Sequence, residues 1–179
     1  MYFAKLILVA ALLSVVAACG DNLNPSGEDK RPTVIAGSTG GAVGQKAADF
    51  SVSDINGATI NLSSSLAGRK GVVFYFTMWC PICDSHMNNM RSFVAPLFPE
   101  VGFYLVDYLS GSVTDAANAA SASGYSGGTL LTLADTDHIL QNNFQATMGT
   151  TVVVDSVGTV QLNEDYRDGT RLKAELSKL

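Results

Sequence analysis

One stretch decides how this chain folds, and it reads Gly71-Val72-Val73-Phe74-Tyr75-Phe76-Thr77-Met78-Trp79-Cys80-Pro81-Ile82-Cys83. Its first seven residues are almost entirely apolar or β-branched, a pattern typical of a strand that is buried on both faces. After them, apolar residues recur every three or four positions and predict a helix from Pro81 to about Leu97: Cys83, Met87, Met90, Val94 and Leu97. Two cysteines therefore lie where a buried strand passes into a helix.

The position of Cys80 at the start of this helix predicts a reactive thiol. The first turn of a helix has N–H groups without intrahelical acceptors and the positive end of the helix dipole, and both favour a thiolate over a thiol. Pro81 fits the first helical position, because its missing N–H removes a donor that has no partner there. Since the thiolate is the species that attacks disulfides, the spacing Cys-x-x-Cys at this point predicts a redox site.

The third cysteine, Cys19, follows a candidate export signal. Lys5 precedes an apolar stretch from Leu6 to Ala18, which is too short to span a bilayer of about 30 Å and indicates a secretory signal over residues 1–18. Its end, Val16-Ala17-Ala18-Cys19, resembles the lipobox of bacterial lipoproteins. The resemblance implies cleavage before Cys19 and a lipid on this cysteine. The alternative is an ordinary signal peptide cut near Ala18, which leaves a free thiol.

With Cys19 assigned, Cys80 and Cys83 remain as a pair. A bridge between them would close a very short loop and add little stability, so its value would lie in its chemistry. An exported protein also lies where disulfides form and persist. We therefore predict that the pair itself is the redox group, with no further cofactor and no resident metal.

Charge and composition limit the partners and define three segments. The chain has 11 Lys and Arg against 16 Asp and Glu, a net charge of −5, which argues against nucleic acid and against electrostatic attraction to membranes. Residues 20–44 are rich in Gly, Ser, Asp, Asn and Pro, so we predict a flexible tether over residues 19–44. Residues 45–179 suffice for one domain. We expect a monomer that a lipid anchors to a bacterial membrane, facing the periplasm or the exterior.

The rest of the pattern alternates between strands and helices. Short strand-like segments on either side of Asn56-Gly57 predict a hairpin, and Asp135 and Asp137 are expected to cap a helix near His138, itself a surface residue. The predicted strands are Asp49–Ser53, Ala58–Leu62, Gly71–Thr77, Val101–Leu109, Thr129–Leu133, Thr150–Asp155 and Thr159–Asn163. The predicted helices after the first are Val113–Ser123, Asp137–Phe144 and Thr170–Leu179. This alternation predicts an α/β sandwich around a mixed sheet.

Together, these segments resemble a redoxin domain of the thioredoxin superfamily, the superfamily of AhpC/TSA proteins. They are most similar to the membrane-tethered TlpA/ResA-like thiol–disulfide oxidoreductases. The resemblance rests on Ala48–Gly57, Ile60–Ser63, Gly71–Thr77, Trp79–Cys83 and Thr150–Asp155 followed by Gly158. It implies a thioredoxin-like sandwich, a central mixed β-sheet flanked by helices, with an N-terminal β-hairpin extension.

The same resemblance implies roles for individual residues. Cys80 would be the exposed nucleophile and Cys83 the buried resolving thiol. The substrate would dock beside them on Trp79, Pro81, Met148 and Gly149. The implied partners are protein thiols and disulfides, together with a membrane or periplasmic reductant.

Several positions depart from the pattern of this family. Its cis-proline is here Gly149, and we expect the bond between Met148 and Gly149 to be trans, because a non-proline cis bond costs about 3–4 kcal/mol. Phe74 stands where a buried polar or acidic proton acceptor is common, and His86 where a glutamate is common. At i+3 from Cys83, His86 could shuttle the proton of this thiol near neutral pH. The alternative for His86 is a solvated histidine on the helix surface.

Three other functions remain open. Thr77, three residues before Cys80, resembles part of the peroxiredoxin signature and suggests an antioxidant peroxide reductase, although Val73 replaces the proline of that signature. A copper or zinc module would use the two cysteines with His86 or His138, since thiolates suit copper(I). The third possibility is a scaffold that has lost its activity and only binds partners.

Overall fold

A computed structural model of the protein describes residues 33–179, so the predicted signal peptide, Cys19 and the first part of the predicted tether lie outside it. Val34–Leu179 form one compact unit. Its strands are β1 Ser51–Asp54, β2 Thr59–Asn61, β3 Gly71–Thr77, β4 Val101–Asp107, β5 Leu130–Ala134, β6 Thr150–Asp155 and β7 Val160–Asp165. Its α-helices are α1 Leu62–Leu66, α2 Pro81–Asn89, α3 Val113–Ala122, α4 Ile139–Phe144 and α5 Thr170–Leu176.

The seven strands form one mixed sheet in the order β2-β1-β5-β4-β3-β6-β7. The three central strands β3, β4 and β5 are parallel, whereas β1, β2, β6 and β7 join the sheet in antiparallel pairs. The β1–β2 hairpin, with Gly57 at φ 84° in its turn, occupies one edge of the sheet. The predicted α/β architecture with an N-terminal hairpin is therefore confirmed.

Strand β3 separates two hydrophobic cores, and all seven of its residues are buried. Val73 and Tyr75 belong to the core that contains Cys83, whereas Phe74 and Phe76 belong to the core on the other face of the sheet. This alternation follows from the pleat of a strand, in which successive side chains point to opposite faces. In β3, side chains at odd-numbered positions such as Val73 and Tyr75 therefore face the core that contains Cys83, and those at even-numbered positions face away from it.

The helix that carries the cysteines changes its hydrogen bonding along its length. The α-helical turns end at Asn89, and a π-helical turn over Met90–Val94 and a 3₁₀ turn over Ala95–Leu97 follow. The helical prediction therefore holds to Leu97, but Leu97 is exposed rather than part of the buried stripe. The reason is that π and 3₁₀ turns do not keep the 3.6-residue period on which the prediction rested.

Helix α1 was not predicted, because its first residue was assigned to a strand. The Asn61 side chain accepts a 2.8 Å hydrogen bond from the Ser64 N–H, and the Ser64 hydroxyl accepts one of 3.1 Å from the Asn61 N–H. This reciprocal pair is a capping box, which favours a helix start. The extended segment therefore ends at Asn61, and Leu62 opens the helix.

The compact unit begins at Val34, upstream of the predicted domain start at Gln45. The Gly44 N–H donates a 2.9 Å hydrogen bond to the carbonyl of Val160 at the start of β7. The side chain of Asn163 in β7 donates one of 2.8 Å to the carbonyl of Gly41. The last residues of the predicted tether are thus held against the edge of the sheet.

The start of α4 bears out the predicted capping for one of the two aspartates. The fully buried Asp135 carboxylate accepts hydrogen bonds of 3.1 Å and 2.8 Å from the N–H groups of Leu140 and Gln141. Asp137 and His138 are exposed, as expected for surface residues. Within residues 33–179, none of the helices is both long enough and apolar enough to cross a membrane.

Candidate redox site

The site is built where β3 passes into α2, and Cys80 caps that helix. The Cys80 backbone is extended, with φ −84° and ψ 164°, and Pro81 occupies the first helical turn. The Cys80 Sγ accepts a 3.2 Å hydrogen bond from the Cys83 N–H. Cys80 is half-buried and Cys83 has no exposed surface. Only Cys80 can therefore meet a partner from solution, while Cys83 lies one turn further into the helix.

Both cysteines are free thiols, and the surroundings of the buried Cys83 shift its pKa. Burial raises the pKa of Cys83, but hydrogen bonds from the Cys80 thiol, from backbone N–H groups of Met78 and Cys80, and from the Thr77 hydroxyl outweigh it. The pKa of Cys83 consequently lies below its ordinary value.

Trp79, immediately before Cys80, has a left-handed backbone with φ 57°, which is uncommon for a bulky residue. Its N–H donates a 3.1 Å hydrogen bond to the Thr77 hydroxyl, and its indole Nε1 donates one of 2.8 Å to Asp107 Oδ2. Its ring packs beside that of Tyr125, with centroids 6.4 Å apart. These contacts hold the strained residue and so fix the position from which Cys80 enters the helix.

Asp107 belongs to the site, although the sequence pattern did not predict it. The Asp107 carboxylate is fully buried at the end of β4. Besides the indole of Trp79, it accepts hydrogen bonds from the N–H groups of Leu109 and Ser110 and from the Ser110 hydroxyl. The sequence signal that could have identified it is an acidic residue at the carboxyl end of a buried strand, because a buried carboxyl group requires several hydrogen-bond donors.

The loop before β6 takes the place of the family's cis-proline loop. Residues 33–179 contain no cis peptide bond, so the bond between Met148 and Gly149 is trans, as expected. Gly149, at φ 86°, donates a 2.9 Å hydrogen bond to the Phe76 carbonyl and accepts one of 2.8 Å from the Tyr166 N–H. Met148 is half-buried and packs against the same core as Trp79 and Cys80. Proline has no N–H and could not make the bond to β3.

The residue at the family's proton-acceptor position, Phe74, does not face the cysteines. It lies in the opposite core and stacks on Tyr104 and Phe144 with centroid distances of 5.5 Å and 5.9 Å. The side chain of the next residue, Tyr75, belongs to the core that contains Cys83. Its hydroxyl lies 3.0 Å from His86 Nδ1. Sequence reasoning missed Tyr75, although the alternation along β3 places it on the other face from Phe74.

His86 is partly buried between two tyrosines. Its ring centroid lies 6.0 Å from that of Tyr75 and 5.0 Å from that of Tyr166. Burial lowers the pKa of His86 from 6.5, so the imidazole is neutral at neutral pH. His138 instead lies at the start of α4. In the part of the chain that the structure describes, no three His, Cys, Asp or Glu side chains converge on a position that could hold a metal ion.

Exposed apolar side chains lie next to the accessible cysteine in the chain. Met78 and Ile82 retain 38% and 58% of their accessible surface, and Pro81 between them is also exposed. Leu109, which follows the Asp107 carboxylate by two residues, is 60% exposed. The exposed residues next to Cys80 in the sequence are therefore apolar.

Three features together define a thioredoxin-like redoxin. A partly exposed cysteine caps a helix, a buried cysteine follows one turn later, and the helix packs on a seven-stranded mixed sheet. The family model described as AhpC/TSA family matches residues 43–163. The chain belongs to this family. None of the curated proteins compared with the chain matches it.

Solved structures show the same fold. The chain is similar to dsbF from MTB, solved in its mixed oxidized and reduced forms, with 27% identity, 72% of this chain and 93% of that chain covered, and a TM-score of 0.58. It is similar to a secreted Mycobacterium tuberculosis disulfide oxidoreductase homologous to E. coli DsbE, with 22% identity and a TM-score of 0.57. This similarity covers 73% of this chain and 96% of that chain. It is also similar to the peroxidoxin BcpB from Mycobacterium tuberculosis, with 21% identity and a TM-score of 0.63. This similarity covers 76% of this chain and 97% of that chain.

Proposed function

We propose that this protein is an exported, lipid-anchored thiol–disulfide oxidoreductase that exchanges disulfides with protein substrates through Cys80 and Cys83. One observation carries the proposal: Cys80 is a partly exposed residue at the N-terminus of α2, and its sulfur accepts a hydrogen bond from the Cys83 N–H. The positive end of the helix dipole and this donor both favour negative charge on the Cys80 sulfur. The buried Cys83 lies one turn away, as a resolving thiol must.

The reaction proceeds in two exchanges. The Cys80 thiolate attacks a substrate disulfide, so that a mixed disulfide forms and the other substrate sulfur leaves as a thiolate. Cys83 then loses its proton and attacks the Cys80 sulfur, and the second substrate sulfur leaves. Two electrons have passed to the substrate, and the Cys80–Cys83 pair is oxidised. A membrane or periplasmic reductant returns the pair to thiols, and the reverse sequence oxidises a substrate.

Substrate docking is assigned to the surface beside Cys80. Trp79 and Pro81 flank the nucleophile in the chain, and Met148 packs against the same core as both Cys80 and Trp79. Gly149 fixes the backbone of the loop that carries Met148, because both of its peptide groups are hydrogen-bonded within the domain. The exposed side chains of Met78 and Ile82 extend this surface. We expect extended, apolar segments of partner proteins to bind there.

The test of this function is a trapping experiment in the native host. The Cys83→Ser variant can form the mixed disulfide but cannot resolve it, so substrates should remain attached to Cys80. We expect several adducts on non-reducing gels that disappear on reduction. The Cys80→Ser/Cys83→Ser variant is the matched control and should carry none. A folded Cys83→Ser protein without any adduct would contradict the proposal.

Export and lipid attachment are supported by the sequence of residues 1–19 and by the description of one similar structure as that of a secreted protein. Radiolabelled palmitate fed to the native host should enter the unmodified protein and should not enter a Cys19→Ala variant. Equal incorporation into both would argue against the anchor. Release of the unmodified protein into the soluble periplasmic or culture fraction would do the same.

Peroxide reduction is a second candidate, because the chain belongs to the AhpC/TSA family and Thr77 precedes Cys80 by three residues. In this site, however, the Thr77 hydroxyl accepts the Trp79 N–H. Peroxide consumption by the Cys83→Ser variant, which keeps Cys80, separates the two functions. We expect slow consumption compared with disulfide exchange.

A further inference from the structure

Tyr125, in the loop between α3 and β5, contacts residues on both sides of the two cysteines. Its ring packs beside the indole of Trp79, the residue before Cys80, with centroids 6.4 Å apart. Its hydroxyl donates a 3.1 Å hydrogen bond to Oδ1 of Asp84, the residue after Cys83. One tyrosine therefore joins the segment that enters the redox helix to a carboxylate in the first turn of that helix.

Tyr125 is the fixed partner in its hydrogen bond to Asp84. Only 1% of its surface is exposed. Its N–H donates a 2.7 Å hydrogen bond to the Ala120 carbonyl, and its carbonyl accepts one of 3.1 Å from the Thr132 hydroxyl. The guanidinium carbon of Arg91 lies over its ring, 4.6 Å from the centroid, in a cation–π contact. Asp84 is exposed, so its carboxylate is the group that would move if the hydrogen bond were lost.

Asp84 is the acidic residue in the first turn of α2, close enough for its charge to act on Cys80. Its N–H donates a 2.9 Å hydrogen bond to the Cys80 carbonyl, so the two residues lie one helical turn apart. The free N–H groups and the dipole at a helix N-terminus stabilise any anion placed there. An unrestrained Asp84 carboxylate would compete with a Cys80 thiolate for this positive region, and its like charge would disfavour the thiolate.

We propose that Tyr125 is a positioning residue, whose hydroxyl restrains the Asp84 carboxylate and so keeps the start of α2 free for negative charge on Cys80. This inference rests on the proposed thiol–disulfide exchange, in which the Cys80 thiolate is the attacking group. Tyr125 acts on that group through Asp84. Arg91, over the ring, places a positive charge on the other side of the same tyrosine.

The other ionisable groups on the elements around Cys80 are constant in the comparison that tests this role. They are Cys83 and His86 on α2, Tyr75 on β3, and Asp107 and Tyr108 at the end of β4. Burial raises the pKa of both tyrosines and lowers the pKa of His86 from 6.5, so all three are uncharged at neutral pH. Asp107 is the same in every variant, and Cys83 is replaced in all of them.

The chain offers a matched pair of tyrosines that bind the redox helix. Tyr125→Phe removes the hydroxyl that is bonded to Asp84 and keeps the ring. Tyr166→Phe removes a hydroxyl that donates a 2.7 Å hydrogen bond to Asn89 Oδ1, at the other end of α2. The acceptor is a charged carboxylate in the first case and a neutral amide in the second. The pair therefore separates an effect of charge from the loss of a buried hydroxyl.

Alkylation reports the thiolate of Cys80 without requiring a disulfide substrate. In proteins that all carry Cys83→Ser, labelling with iodoacetamide followed by mass mapping gives the rate at Cys80 as a function of pH. We expect Tyr125→Phe to slow labelling at neutral pH about threefold, the effect in water of one unit charge about one helical turn away. At high pH, where the thiol is fully ionised, the rates should converge, whereas a loosened structure would change the rate at every pH. Tyr166→Phe should label as the Cys83→Ser parent does.

A double-mutant comparison shows whether the hydroxyl acts through the carboxylate. In an Asp84→Asn background, Tyr125→Phe should leave the labelling rate of Cys80 unchanged at every pH. The same slowing in this background would mean that the hydroxyl acts by another route, and it would overturn the proposal. An unchanged rate in folded Tyr125→Phe with Asp84 intact would also overturn it.

Asp84→Glu gives an independent test at an exposed position, and it decides the matter should Tyr125→Phe fail to fold. It keeps the charge but moves it by one methylene group, so it should also slow labelling at neutral pH. A rate equal to that of the Cys83→Ser parent would refute the role of Tyr125. The parent itself separates this inference from the function. If its Cys80 labels no faster than the thiol of free glutathione, the proposed exchange is wrong; if it labels faster but no variant differs from it, only the role of Tyr125 is wrong.

Discussion

Trp79 donates its indole N–H to Asp107 across 2.8 Å, and this bond joins the residue before the nucleophile to the end of the neighbouring strand β4. The same carboxylate accepts the N–H groups of Leu109 and Ser110, so it also holds the loop that follows β4. Because the carboxylate is fully buried, these hydrogen bonds offset the cost of removing it from water. The position of Cys80 thus depends on a carboxylate that is distant in the sequence.

Asp107→Asn tests this dependence with little change of shape. In this variant an amide nitrogen replaces one carboxylate oxygen, and this nitrogen cannot accept the hydrogen bonds that the oxygen accepted. We expect the free energy of unfolding to fall by about 1–3 kcal/mol and the attack of Cys80 on glutathione disulfide to slow. Asp115→Asn, at an exposed position beside Ser112, is the control and should change both values little. Urea denaturation and stopped-flow kinetics measure the two effects, and an Asp107→Asn protein equal to the control would contradict the assignment.

Restoring the family's proline at position 149 should damage the protein rather than improve it. The backbone of Gly149 has φ 86° and its N–H bonds to Phe76, whereas proline requires φ near −65° and has no N–H. We expect Gly149→Pro to lower the free energy of unfolding by more than about 1–3 kcal/mol, the cost of one unmade buried hydrogen bond.

Gly149→Ala separates the backbone strain from the lost hydrogen bond. A Cβ atom at this position would meet nothing within 4 Å, so its cost should be the left-handed conformation alone, about 1–2 kcal/mol. Chemical denaturation of both variants checks the order of the two losses. A Gly149→Pro protein as stable as the unmodified chain would show that the loop adopts another conformation.

The sequence predicted most of the fold because β3 and α2 carry strong periodic patterns. It did not predict features that the periodicity of apolar residues does not encode. The π-helical turn after Asn89 breaks the helical period, and the capping box at Asn61 opens a helix at a residue assigned to a strand. In the site, the spacing of Cys80 and Cys83 was enough to predict them as site residues. Asp107 and Tyr75 could not be predicted in this way, because only the tertiary fold brings Asp107 to Trp79 and Tyr75 to His86.

Burial of His86 should make stability depend on pH. Because burial lowers the pKa of His86 below 6.5, the unfolded chain takes up a proton on this histidine at a higher pH than the folded protein does. The free energy of unfolding should therefore decrease as the pH falls from 6.5 through the pKa of the folded protein, and it should be independent of this group above 6.5. His86→Gln should reduce this decrease. Urea denaturation at about pH 7.5 and about pH 5 measures it, and equal decreases in both proteins would contradict the burial of this group.

The central claim is that Cys80 forms the mixed disulfide and Cys83 resolves it. The most direct measurement is mass mapping of the purified protein after incubation with oxidised glutathione at neutral pH. We expect a stable adduct on Cys80 in Cys83→Ser, a transient adduct that ends as the Cys80–Cys83 disulfide in the unmodified protein, and no adduct in folded Cys80→Ser. An adduct on Cys83 in folded Cys80→Ser that forms as fast as the adduct on Cys80 would contradict these roles, as would a folded Cys83→Ser protein that stays unmodified.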